Sequence, residues 1–115
     1  MIILVVDDEK EFVDFLKDRL VRKGHSVDTA YNGHAALELL RPDRYDLVFL
    51  DHNMPEMTGM EVVKYIKANK LKAKVVIVTG YHESSEYFMK LIGADEYLTK
   101  PVKIKEIEDI IGKYL

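Results

Sequence analysis

The sequence of 115 residues contains no cysteine, no tryptophan and only three prolines. Without cysteine, the chain forms no disulfide, offers no thiolate ligand to a metal and has no cysteine nucleophile. An excess of basic residues is also lacking, because 17 lysines and arginines face 20 aspartates and glutamates, for a formal net charge of −3. This balance gives no positive field for nucleic acid, which we do not expect as a partner.

Long hydrophobic runs are lacking as well. The apolar stretch at residues 2–6 has the length of a strand, has no basic leader and ends at three acidic residues. It is therefore neither a signal peptide nor a membrane span, and we expect a cytoplasmic protein without membrane association. With 48% hydrophobic and 32% charged residues, the composition is that of a globular chain, and its length predicts a single domain over residues 1–115.

What the sequence does contain is a regular alternation of short apolar runs and stretches with helical periodicity. Aliphatic runs predict three strands buried on both faces, at residues 2–6, 46–50 and 74–79, and weaker runs predict two edge strands, at 25–31 and 95–99. Helical periodicity predicts helices at 9–23, 34–40, 60–70, 84–92 and 104–114. This order predicts an α/β fold, a flavodoxin-like doubly wound (βα)5 arrangement with a five-stranded parallel sheet in the strand order 2-1-3-4-5.

Chemically versatile side chains stand where the predicted strands end. Asp7 and Asp8 follow the first strand, Asp51 follows the third, Thr79 ends the fourth and Lys100 follows the fifth. In doubly wound sheets the ligand site lies beyond the carboxyl ends of the strands. We therefore expect three carboxylates, a hydroxyl and an amine to meet at one edge of the sheet.

Three clustered carboxylates need a cation or a proton. At roughly 5 Å, two such charges repel by about 3 kcal/mol at an effective dielectric constant near 20. Because the ligands are hard oxygens, with no cysteine in the chain and no histidine adjacent to Asp7 and Asp8, they select Mg²⁺ or Mn²⁺. Mg²⁺ leaves room for a phosphate oxygen, so the set suits phosphoryl transfer, with Asp51 as nucleophile and with Lys100 and Thr79 supplying charge and a hydroxyl.

Four segments, taken in order, resemble the receiver domain of two-component response regulators. They are "VVDDE" (5–9), "LDHNMPEMTG" (50–59), "VIVTG" (76–80) and "YLTKP" (97–101), and the resemblance covers residues 2–114. It implies that a sensor histidine kinase donates a phosphoryl group to Asp51 and that the domain later hydrolyses this bond itself. It also implies a conformational switch rather than an enzyme that acts on an external substrate.

The resemblance further implies how the metal is held and how long the phosphate lasts. Asp8 and Asp51 would bind Mg²⁺ directly, together with the main-chain carbonyl of Asn53, while Asp7 would bind it through water. The side chains of Asn53 and Tyr81 occupy two positions that tune the lifetime of the phosphate. An aromatic ring at Tyr81 would shield the acyl phosphate from in-line water.

The remaining matching positions concern the phosphoryl group and the switch. Lys100 would bridge to the phosphoryl group, and Pro101 implies a cis peptide bond that places the amine. Thr79 would hydrogen-bond the phosphoryl group after modification, and Tyr97 resembles the aromatic residue that turns inward with it. Gly80 fits the small residue that leaves the main chain open to the phosphoryl oxygens.

Two other functions compete with this interpretation. A Mg²⁺-dependent aspartyl phosphatase acting on a small phosphoester usually has an acid two residues after its nucleophile, where this chain has Asn53. A flavodoxin-like cofactor binder would have a loop rich in glycine, serine and threonine after the first strand, and none is present. Because no output domain follows the fifth predicted helix, we expect a stand-alone receiver. Such a domain passes phosphate to a histidine phosphotransfer protein or acts by direct contact with a downstream protein.

Overall fold

The structure, a computed structural model, describes residues 1–80 and 93–115. Its five strands are β1 (Ile2–Val6), β2 (Ser26–Ala30), β3 (Leu47–Asp51), β4 (Lys74–Thr79) and β5 (Glu96–Thr99). The helices in the described ranges are α1 (Lys10–Arg22), α2 (Gly33–Leu39), α3 (Gly59–Ala68) and α4 (Ile104–Tyr114). The helix predicted at 84–92 lies outside the described residues. No helix within the described ranges is both long and apolar enough to cross a membrane.

The five strands form one parallel sheet in the order β2-β1-β3-β4-β5, which confirms the predicted fold. The three aliphatic strands, β1, β3 and β4, are central, and the two less apolar strands are at the edges. All five residues of β3 are buried, whereas all four of β5 are only half-buried. The chain winds in opposite directions from β1 and β3, so a crevice opens at the carboxyl ends of these two strands.

The sheet divides the hydrophobic core into two clusters because successive side chains of a strand point to opposite faces. In β3, Val48 and Leu50 belong to the cluster packed against α2 and α3, which we name the α2/α3 cluster. Leu47 and Phe49 belong to the cluster packed against α1 and α4, named the α1/α4 cluster. Each central strand thus contributes to both halves of the core, which fixes its register and the position of its carboxyl end.

The start of α3 is pressed against the end of β3. Thr58 caps the helix in a capping box: its hydroxyl accepts from the Glu61 N–H (3.4 Å), and the Glu61 carboxylate accepts from the Thr58 N–H (3.2 Å). A Cβ on Gly59 would lie 2.6 Å from the carbonyl oxygen of Asp51 and 2.9 Å from Cα of His52. Only glycine permits this approach, and the contact between the start of α3 and the end of β3 fixes the main chain of Asp51.

The loop between β3 and α3 contains a tight turn. The Met57 N–H donates to the carbonyl of Pro55 at 2.7 Å, and Glu56 between them has φ +69°. This left-handed conformation is strained for a residue other than glycine, asparagine or aspartate. Met54 is buried in the α2/α3 cluster and anchors the loop.

Candidate functional site

Three carboxylates meet at the carboxyl edge of the sheet, as the sequence predicts. Asp7 follows β1 and is buried, Asp51 is the last residue of β3 and is 5% exposed, and Asp8 is exposed. One oxygen from each of the three lies within 4.8 Å of the other two. Their neighbouring strands β1 and β3 bring together residues that are more than forty positions apart in the chain.

The cluster carries more negative charge than its protein surroundings neutralise. Burial and the neighbouring Asp7 raise the pKa of Asp51 to about 7, although Lys100 and the Asn53 N–H act in the opposite direction. Burial also raises the pKa of Asp7, against the effect of its hydrogen bond from Lys100. Clustered carboxylate oxygens are the donor set that Mg²⁺ prefers. The residues present therefore fit a hard divalent cation.

Lys100 reaches the cluster from the end of β5. Its Nζ donates to Asp7 Oδ2 and to Glu9 Oε1, each at 2.7 Å, and lies 5.0 Å from the centroid of the Phe12 ring. Burial lowers the pKa of Lys100, but these two hydrogen bonds together with the negative charges of Asp51 and Asp7 outweigh burial, so the pKa is raised. The peptide bond between Lys100 and Pro101 is cis, as expected from the sequence. The contact between Lys100 and Glu9 does not follow from the sequence analysis. The only sequence feature that indicates it is a third acidic residue, Glu9, directly after Asp7 and Asp8.

Thr79 and Asn53 form a second contact beside Asp51. The Asn53 side chain donates from Nδ2 to the Thr79 hydroxyl at 3.3 Å, and the Asn53 N–H donates to Asp51 Oδ1 at 3.3 Å. Thr79, the last residue of β4, is fully buried. Among the described residues, no atom lies within 4 Å of where a Cβ on Gly80 would stand, so none of them covers the main chain there.

A cleft of about 380 Å³ opens above these groups, and five of the ten predicted site residues line it. Tyr97 does not line the described part of this cleft: it is half-buried against the α2/α3 cluster, and its hydroxyl accepts from Thr99 at 3.2 Å. Tyr81 lies outside the described residues. The lining residues of the cleft are Asp8, Glu9, Asp51, Asn53, Gly80 and Lys100.

Fold and site together define a doubly wound α/β protein with a cluster of three carboxylates, which fits a hard cation, at the switch point of its sheet. The family model described as the response regulator receiver domain matches residues 3–112. The chain therefore belongs to the receiver domain family, which confirms the resemblance seen in its sequence. Receiver domains are signalling domains that are phosphorylated by sensor histidine kinases.

Curated relatives are similar over nearly the whole chain. The alkaline phosphatase synthesis transcriptional regulatory protein PhoP of Bacillus subtilis is 38% identical over 106 residues, which are 91% of this chain and 44% of that protein. The hybrid signal transduction histidine kinase F of Dictyostelium discoideum is 34% identical over 98% of this chain and 11% of that protein. The chain spans about half the length, or less, of the curated relatives it matches.

Solved structures show the same fold. The response regulator TrrA of Thermotoga maritima, in complex with Mg²⁺ and beryllofluoride, has a TM-score of 0.87 and 38% identity, covering 99% of this chain and 98% of that chain. A two-component response regulator from Clostridium difficile has a TM-score of 0.90 and 29% identity, covering 99% and 94%. Mg²⁺ and beryllofluoride are thus bound by a protein that is similar to this chain.

Proposed function

We propose that this domain accepts a phosphoryl group on Asp51 from the phosphohistidine of a sensor histidine kinase. The observation that carries the proposal is the position of Asp51. Its carboxylate is buried at the end of β3, within 4.8 Å of carboxylate oxygens from Asp7 and Asp8, in a cleft that Lys100 also lines. A nucleophile, ligands for a hard cation and a positive group are what phosphoryl transfer requires.

We assign the cation site to Asp8, Asp51 and the main-chain carbonyl of Asn53, with Asp7 as a ligand through water. Mg²⁺ is the proposed cation, and Mn²⁺ takes the same oxygen ligands. When bound, the cation neutralises charge on the carboxylates and on the phosphoryl oxygens. The chemistry of the donor set supports this assignment, since every side chain in it is a carboxylate.

In the transfer step, the ionised carboxylate of Asp51 attacks the phosphorus, and the bond from phosphorus to the donor histidine breaks. Lys100 donates a hydrogen bond to a phosphoryl oxygen and so offsets its negative charge. The Thr79 hydroxyl and the main chain at Gly80 hydrogen-bond the remaining phosphoryl oxygens. Hydrolysis later returns the carboxylate, and Tyr81 slows that step by shielding the acyl phosphate from water.

The proposed switch begins at Thr79. Its hydroxyl accepts from the Asn53 side chain in this structure, and turning towards the phosphoryl group moves it away from that contact. Tyr97 turns inward with it, which shifts the population between two conformations of the domain. The output is contact with a downstream protein or transfer of the phosphate to a histidine phosphotransfer protein.

We extend the proposal to the chain as a whole. Residues 1–115 form a single receiver domain, with no catalysis beyond its own phosphorylation and dephosphorylation, in a cytoplasmic protein. The match of the family model to residues 3–112 supports the domain assignment.

The test is incubation with Mg²⁺ and acetyl phosphate, followed by intact-mass analysis and peptide mapping. We expect wild type to gain the mass of one phosphoryl group on Asp51, and Asp51→Asn to gain none. The matched control is Asp46→Asn, which removes an acid that binds the Ile2 N–H instead and should leave labelling unchanged. Phosphate on Asp51→Asn at the same position contradicts the proposal, and turnover of a small phosphoester favours the aspartyl phosphatase.

A further inference from the structure

The side chain of Glu9 is used in an unusual way for its position. Glu9 is the N-cap residue of α1, where a side chain ordinarily accepts from an N–H of the first helical turn. Its carboxylate makes no such bond. Instead, Oε1 accepts from Lys100 Nζ at 2.7 Å, while Asp7 Oδ1 accepts the Glu9 N–H at 2.9 Å. The Glu9 side chain thus binds Lys100 and does not cap α1.

Lys100 is committed to partners other than Asp51. Its amine binds Asp7 and Glu9, each at 2.7 Å, and lies over the ring of Phe12. No ion pair in the described ranges joins Lys100 to Asp51. A phosphoryl group on Asp51 therefore has to draw the amine out of an arrangement in which two acids already neutralise it.

Of these two acids, Glu9 is the one that can release the amine at low free-energy cost. The Glu9 side chain is 64% exposed, so water replaces the lost hydrogen bond, whereas the Asp7 side chain is 2% exposed and would be left buried without its counter-ion. The contact between Lys100 and Glu9 is thus the contact expected to break when the phosphoryl group arrives.

We propose that Glu9 is a positioning residue that competes with the phosphoryl group for Lys100. It holds the amine in a resting position and thereby lowers the affinity of the site for a phosphoryl group. This inference rests on the proposed function of Asp51 and Lys100. Because exposed ion pairs are weak, breaking the contact beforehand should raise that affinity about two- to fivefold.

A second effect of Glu9 has to be separated from this competition. Its carboxylate lines the cleft, so its charge alone could repel an anionic ligand. Glu9→Asp keeps the charge but shortens the side chain by one methylene, and aspartate at an N-cap bonds the helix N–H groups well. Glu9→Gln keeps the length and removes the charge. Competition predicts that both substitutions act alike, whereas repulsion predicts that only glutamine acts.

The probe is beryllofluoride, a mimic of the phosphoryl group, titrated at saturating Mg²⁺ and followed by ¹⁹F NMR. We expect Glu9→Gln and Glu9→Asp to bind it about two- to fivefold more tightly than wild type. The matched control, Glu11→Gln, removes another exposed acid from the first turn of α1 and should bind as wild type does. The ¹⁹F signals of the bound anion should coincide in all variants, because Lys100 has already left Glu9 in the bound state.

Equal or weaker binding by Glu9→Gln overturns the inference. Tighter binding by Glu9→Gln alone, with Glu9→Asp like wild type, shows repulsion and also overturns it. Different ¹⁹F signals for the bound anion in the Glu9 variants would mean that Glu9 keeps its contact in the bound state, which contradicts competition. If wild type binds no beryllofluoride and takes up no phosphate on Asp51, the proposed function itself has failed.

Discussion

Replacing Asp51 by asparagine should stabilise the metal-free protein at neutral and alkaline pH, although it removes the proposed phosphoacceptor. Folding raises the pKa of this carboxyl from 3.8 to about 7, because burial and the neighbouring Asp7 both disfavour the charged form. Between these two values the native state binds more protons than the unfolded chain. The free energy of unfolding therefore falls as the pH rises from 3.8 to about 7, and the loss is complete above that.

The size of this destabilisation follows from the pKa shift of Asp51. A shift of about 3 pKa units at 1.36 kcal/mol per unit corresponds to about 4 kcal/mol at pH 8. Asp51 is 5% exposed, so solvent screens this effect little, but movement of Lys100 towards the charge would relieve part of it. We expect Asp51→Asn to raise the free energy of unfolding by about 2–4 kcal/mol at pH 8, since the asparagine oxygen still accepts the Asn53 N–H.

The assay is urea denaturation with a chelator present, at pH 5 and pH 8. The gain from Asp51→Asn should be larger at pH 8 by about 2 kcal/mol, because much of the charge is absent at pH 5. Asp46→Asn is the matched control: the Ile2 N–H lowers the pKa of Asp46, so this substitution should not stabilise at pH 8. Added Mg²⁺ should stabilise wild type and so narrow the difference in the free energy of unfolding between wild type and Asp51→Asn. An Asp51→Asn variant no more stable than wild type at pH 8, or a gain equal at both pH values, would refute the reasoning.

Four further substitutions test packing and backbone strain by urea denaturation at pH 7. Gly59→Ala should destabilise by about 1–3 kcal/mol because its Cβ would meet the Asp51 carbonyl at 2.6 Å. Gly112→Ala, whose Cβ would have no atom of residues 1–80 or 93–115 within 4 Å, should stabilise α4 by about 0.5–1 kcal/mol. Equal effects of these two alanines would contradict the close approach of Gly59 to the end of β3. Glu56→Asn should stabilise by about 0.5–1 kcal/mol, since asparagine tolerates φ +69°, and no gain would argue against strain there. Tyr45→Phe should destabilise by about 1–2 kcal/mol by removing the buried hydroxyl that donates to Asp28 at 2.7 Å, and an unchanged midpoint would exclude that contribution.

Much of the fold could be predicted from the sequence because its signals are local. The aliphatic runs gave strands whose ends differ from the structure by one residue at most, and they separated central from edge strands. The first helix is predicted over 9–23, and in the structure Gly24 follows it with φ +94°, while the His25 N–H donates to the Leu20 carbonyl at 3.1 Å. A glycine and a period of 3.6 residues are sufficient for such an assignment.

The candidate site was predictable only as a set of strand ends. The topology rule brought Asp7, Asp8 and Asp51 together correctly, since it needs only the strand order. It could not show that Lys100 binds Glu9 or that the Asn53 side chain donates to Thr79, because those contacts depend on side-chain directions set by packing.

The burial of Met54, which is 6% exposed although it lies in a loop, depends on how that loop folds over the α2/α3 cluster. The inward movement of Tyr97 and the shielding by Tyr81 stay predictions.

The division of the core by the sheet has a consequence for how a signal could travel. By strand alternation, Asp51 follows Leu47 and Phe49 on the side of the α1/α4 cluster, while Thr79 follows Val75 and Ile77 on the side of the α2/α3 cluster. A group bound to Asp51 and to the Thr79 hydroxyl would therefore span the rim of the sheet. Such a group would connect the two core clusters, which the backbone of the sheet otherwise separates. A conformational change that begins at Asp51 would then reach the α2/α3 side of the sheet at its carboxyl edge, without displacing the strands.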